Sequence, residues 1–124
     1  MESALVAANV GVMVFFTIAV APTVFKVLPP AWAGVYVRAF FPKYYAILGL
    51  TSALAAALAD NVAVRVALSS CAVLFFISLW MLTPRINAAR DAGDRETFGA
   101  LHGLTVGINL VQIAIFIVLL WRGL

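Results

Sequence analysis

The sequence predicts an all-α, polytopic membrane protein: an antiparallel four-helix transmembrane bundle with a short interfacial helix between helices one and two. Three observations predict it. Of 124 residues, 65% are hydrophobic and only 10% are charged, against roughly 25% charged in soluble domains. The apolar residues cluster in four stretches, Ala4 to Val24, Tyr44 to Ala59, Val62 to Leu82 and Leu101 to Trp121, each nearly free of ionisable groups. Three of these approach or exceed the roughly 20 residues that cross a hydrocarbon core, and the second reaches that length by borrowing from its aromatic flank. A soluble bundle would need a hydrophilic shell that no segment supplies. The lipid bilayer is therefore the expected solvent, and 1–124 a single transmembrane domain with helices at about 4–25, 42–59, 62–82 (extendable to 91) and 98–121.

The first helix has Ser3 as a cap and runs toward Pro22, which falls near its end as a kink, before Pro29-Pro30 forces a break. No basic leader or cleavage-like junction precedes Phe25-Lys26, so the stretch reads as a retained anchor. Ala31 to Phe41 is helix-competent and offers Trp32, Tyr36 and Arg38 to headgroups, as a short interfacial helix would. Pro42 then suits the first turn of the second crossing. The competing reading is one long tilted helix from Ala31 to Ala59. Asp60-Asn61 is a tight link with Asp60 as the cap of the third helix, which makes helices two and three antiparallel neighbours. Pro84 to Arg90 keeps helix-forming residues after a local bend, Gly93 is a stop, and Asp94 with Glu96 suits the start of the fourth helix.

Charge sets the expected orientation. The first and third connections hold Lys26, Arg38, Lys43, Arg85, Arg90 and Arg95, whereas the opposite side holds only Arg65 and Arg122. The excess places the larger connections in the cytoplasm and both termini outside, in a bacterial-type inner membrane. Lys and Arg form no contiguous run, so the net charge of +3 indicates basic loops rather than a nucleic-acid partner. Cys71 is the only cysteine, so an intrachain disulfide is excluded and a small buried side chain is expected.

Two faces of the fourth helix stand out. His102, Thr105, Asn109 and Gln112 fall within roughly 80° of arc, because spacings of three, four and three follow the helical period. Such a stripe is costly against lipid and should face protein, water or a ligand. Gly99, Gly103 and Gly107 recur on another face, as Gly49, Ala53 and Ala57 do on helix two. Small residues let backbones approach closely, within the bundle or in a homo-oligomer. The plain reading of the stripe is interhelical hydrogen bonding, with Asn109 and Gln112 meeting Asn9, Thr17, Ser69 or Ser78. The functional reading gathers Lys26, Arg38, Tyr44, Arg85, Asn87 and His102 at the cytoplasmic mouth above Asn109 and Gln112, where positive groups beside a polar cleft favour a small anionic ligand.

Catalytic chemistry is poorly provided for. No serine–histidine–acid set and no HExxH pattern can be drawn, and Asp91, Asp94 and Glu96 read as caps and surface charges. One His, one buried Cys and no intramembrane carboxylate do not complete a zinc or copper site. One imidazole can hold heme iron axially, so a heme-dependent redox protein using His102 is the enzyme alternative, and bis-histidine ligation would need a second subunit. The leading expectation is a small binding or transport-associated module; a structural subunit of a larger membrane complex is the third.

The ordered set APTVFK at Ala21 to Lys26, Ala33-Gly34 with Arg38, FPKYY at Phe41 to Tyr45, TPRIN at Thr83 to Asn87 and FGALHGLTVGIN at Phe98 to Asn109 resembles the transmembrane-protein-205-like family of small four-helix membrane proteins. That family looks related in architecture to a broader group that includes copper-resistance protein D and a heme-associated bacterial protoporphyrinogen oxidase. The resemblance implies an integral membrane location and brings no biochemical activity. The heme enzymology of the broader group transfers poorly, because this chain has no histidine in helices one to three.

Overall fold

The computed structural model describes residues 1–123. Four helices follow one another through short links: α1, Glu2–Val27; α2, Pro30–Leu58; α3, Val62–Asp91; and α4, Arg95–Trp121. They form the all-α bundle that the hydropathy pattern predicts. By length and composition α1, α3 and α4 can each cross a membrane. The chain is thus an integral, multi-pass membrane protein in contact with lipid. The first half of α2 is more polar, since its two charged residues, Arg38 and Lys43, fall there.

Both transmembrane prolines that follow a long apolar run are accommodated in the same way. A π-helical turn, Phe16–Val20 in α1 and Ser78–Leu82 in α3, ends two residues before Pro22 and Pro84 respectively. A proline has no N–H to donate and its ring crowds the carbonyl four residues back. The wider π turn opens that spacing, so each helix continues instead of breaking. In α3 the Thr83 hydroxyl also donates to the Ser78 carbonyl at 2.7 Å, a second bond to an oxygen that already accepts the Thr83 amide.

The expected interfacial helix is not a separate element. Residues 31–41 are helical, but the helix runs on through Pro42 to Leu58, the long-helix alternative. Pro42 is the one stop signal between Phe40 and Tyr45, and rings on this run hold its turns together. Phe16 of α1 stacks on Phe40 with centroids 4.8 Å apart and lies 5.4 Å from Phe41 and 5.2 Å from Tyr44. Aromatic contacts on either side of Pro42 outweigh one missing backbone bond.

The caps differ in detail from expectation. Ser3 lies inside α1, whose N-cap is Met1. Asn61, not Asp60, caps α3: its side chain accepts from the Ala63 and Val64 amides at 2.8 and 3.2 Å. Asn61 occupies the last extended position before the helix, the place from which a short side chain reaches those amides. Gly93 stops α3 at a φ of +69°, a left-handed conformation that suits glycine. Asp94 caps α4 through the Thr97 amide at 3.1 Å, and hydrogen bonding to Thr97 holds its carboxyl below the usual carboxylate range.

The core lies where all four helices meet, with Val6 and Met13 from α1, Leu48 and Ala55 from α2, Leu68, Cys71 and Phe75 from α3, and Phe116 from α4. Polar side chains fasten it at three levels. Asn9 donates to the Ser52 hydroxyl at 3.0 Å and accepts from Thr51 at 2.6 Å, joining α1 to α2. Gln112 donates to the Cys71 carbonyl at 3.0 Å, joining α4 to α3. Tyr44 donates to Asn109 at 3.1 Å, joining α2 to α4.

The two small-residue faces have different fates. A Cβ on Gly49 would lie 2.9 Å from the Phe76 ring, so α2 and α3 meet closely there. A Cβ on Gly99, Gly103 or Gly107 would meet nothing within 4 Å. The glycine face of α4 therefore does not serve packing within the bundle, because no helix of the chain lies over it.

Candidate functional site

A cleft of about 230 Å³ opens between α1, α2 and α4. The last turns of α1 supply Phe16, Thr17, Ala21 and Phe25; α2 supplies Phe41, Tyr44 and Tyr45; α4 supplies His102, Thr105, Val106, Asn109 and Leu110. The helical period of α4 brings His102, Thr105 and Asn109 to one wall, each about a turn from the next. The π turn in α1 contributes Phe16 and Thr17 to the opposite wall.

The lining is apolar and aromatic with one line of neutral polar groups. It contains no Lys, Arg, Asp or Glu. Asn109 is held by the Tyr44 hydroxyl, which fixes its amide and leaves its NH₂ free to donate. Thr105 donates to the His102 carbonyl at 2.8 Å. The His102 ring lies parallel to Phe98, at 5.7 Å between centroids and 4° between planes. Phe98 in turn carries the Arg90 guanidinium 5.0 Å from its centroid. The imidazole is thus steadied by a stacked ring while its nitrogens remain available to hydrogen-bond.

Of the residues singled out from sequence, Tyr44, His102 and Asn109 come together here. Gln112 does not: it is buried and turned toward Cys71 on α3. Arg38 and Asn87 sit instead in a crevice of about 30 Å³ between α2 and α3, room for no more than a water or two. There Arg38 pairs with Asp91 at 2.7 Å and approaches the Asn87 carbonyl at 3.4 Å. Lys26 and Arg85 are exposed and line neither space. The basic groups thus do not converge on the polar stripe, because Arg38 is engaged by a carboxylate that the sequence reading assigned to surface charge.

Sequence reasoning missed Phe16 and Tyr45. The signal for them is the aromatic density of Phe40 to Tyr45, which must find a neighbour on another helix. For heme the fit is poor. The cleft is smaller than the roughly 300–1,000 Å³ of ordinary small-molecule sites, its lining offers no cation to two propionates, and His102 is its only imidazole.

Residues 4–95 match the model of a family described as a domain of unknown function, DUF4149. No curated protein and no solved structure matches the chain. The matched span takes in α1 to α3 and ends at Arg95, the first residue of α4.

Proposed function

The chain belongs to the DUF4149 family, whose description assigns no activity, and from that premise we propose that it is a small binding or transport-associated module. It takes the polar head of a neutral, ring-containing amphipath into the cleft, with the tail left in lipid. The observation that carries this is the convergence of Tyr44, Tyr45, His102, Thr105 and Asn109 on one aromatic-walled space without a fixed charge. Its volume suits a ring-sized head, and hydrogen-bonding groups in an apolar wall select for a neutral partner over an anion.

A photoreactive 4-hexylphenol carrying a diazirine on its tail tests this on the full-length protein in mild detergent. Labelling should map to peptides containing Phe16 to Phe25 and His102 to Leu110. His102→Ala should lower it about two- to tenfold, the worth of one hydrogen bond, and Val106→Trp should lower it further by filling the cleft. Uniform labelling of all four helices, unchanged in both variants, would sink the proposal.

The same reading sets the chain in a bacterial-type inner membrane with four crossings, both termini outside, and the cleft in the cytoplasmic half of the bilayer. The transmembrane-protein-205-like resemblance and the six-to-two bias of Lys and Arg support it. A single reporter cysteine at Gly93, in a Cys71→Ala background, should escape an impermeant maleimide in intact cells and react after lysis. Reaction before lysis would reverse the orientation.

A further inference from the structure

Arg65 stands one turn into α3, at the end of the bundle that holds the termini and the α2–α3 link. Its Nη2 donates to the Ala59 carbonyl at 2.6 Å, an acceptor freed at the end of α2. No carboxylate among the described residues pairs with it. A guanidinium has five N–H donors in a rigid fork, so this one bond orders the side chain and leaves most of its donors unused.

Ser69 and Val73 follow Arg65 at successive helical turns and form a ridge beneath it. A groove lies between the ridge and α2, while the other flank of the ridge is the open face of α3 itself; Arg65, Ser69 and Val73 border both. The groove against α2 has about 430 Å³. The α2-side groove is floored by small side chains, among them Ala53, Ala57 and Ala72, and Phe76 lines it furthest along α3 from Arg65. From Arg65 to Phe76 the helix rises about 16 Å, close to half of the roughly 30 Å hydrocarbon core. The groove thus has the depth of one leaflet, with an ordered cation at the headgroup level.

We propose that this ridge binds one anionic phospholipid, its phosphate on Arg65, one acyl chain in the α2-side groove and the other along the open face of α3. The site lies on α2 and α3 at the end of the bundle opposite the cleft, so it stands or falls independently of the cleft's ligand. A single-chain amphipath would leave one flank of the ridge uncovered, and a free phosphate would leave both. The positive end of the α3 dipole, one turn from Arg65, adds to the attraction for an anion.

Native mass spectrometry of the full-length protein in maltoside micelles tests it, with dioleoylphosphatidylglycerol, dioleoylphosphatidylcholine and glycerol 3-phosphate as separate probes. One phosphatidylglycerol should be retained per chain, in clear preference to phosphatidylcholine, and glycerol 3-phosphate should not compete. Arg65→Gln should weaken retention about fivefold, the contribution of one basic side chain at an anionic surface. Ala57→Phe leaves the guanidinium in place but fills the α2-side groove, and should weaken retention as much with unchanged helical content. Equal retention of phosphatidylcholine, competition by glycerol 3-phosphate, or full retention by Ala57→Phe would each overturn the proposal. If Arg65→Gln does not fold, Ala57→Phe decides alone.

Discussion

Phe116→Ala should destabilise the protein by about 3 kcal/mol, measured as equilibrium unfolding in mixed micelles, the lower part of the range for removing a buried phenyl ring. Phe116 is 0% exposed and stacks on Phe75, also 0% exposed, at 6.3 Å between centroids. It is the only fully buried large apolar side chain that α4 contributes to the core. Lipid competes for apolar surface better than water does, which weakens the transfer part of the loss. The cavity part remains, because a hole inside the bundle has no lipid atoms to fill it. Phe116→Leu, which keeps most of the volume, should cost about 1 kcal/mol. A loss below about 1 kcal/mol for the alanine variant would mean that α4 is held by something other than this contact.

Gly49→Leu should cost about 2–3 kcal/mol, in the upper part of the range for overpacking. A Cβ at Gly49 would meet the Phe76 ring at 2.9 Å, with two further ring atoms at 3.1 Å. Phe76 is itself stacked on Trp80, at 5.0 Å and 20°. To admit Cβ alone the ring can swing a few tenths of an ångström, so Gly49→Ala should lose much less. A leucine must displace both rings or part α2 from α3. Adding Phe76→Ala to Gly49→Leu should recover roughly half the loss, a coupling of the size seen for residues in contact. Strictly additive effects of the two changes would show that the ring is not what the glycine accommodates.

The helices are legible in the sequence because lipid leaves little choice: a backbone without water must satisfy itself, and runs of apolar residues that long can do so only as helices. Their interruptions are harder to read. Pro42 looks like a first-turn proline because FFPKYY also reads as an interface, yet ring contacts that reach from α1 carry the helix across it. Pro22 and Pro84 are visible as distortions, but nothing local distinguishes a kink from a π turn. The site divides along similar lines. Helical spacing places His102, Thr105, Asn109 and Gln112 on one arc, and that arc is wide enough to face two neighbours. Gln112 takes a backbone carbonyl on α3, a partner that no inventory of side chains contains. Identical small-residue spacing on α2 and α4 leads to contact in one case only, because the outcome depends on whether a Phe76 stands opposite.

The length of α3 has a mechanical consequence. Its 30 residues make a rod about 45 Å long, and a hydrocarbon layer is roughly 30 Å thick. Tilt alone would have to reach about 48°, outside the range of about 0–40° found for spanning helices. At least a turn of α3 must stand clear of the hydrocarbon, and Arg85, Arg90 and Asp91 identify it as the C-terminal end. Asp91 grips Arg38 there, and Arg38 lies on the same unbroken helix as Tyr44. The part of α3 that projects from the lipid is therefore joined by an ion pair to the helix that forms one wall of the cleft.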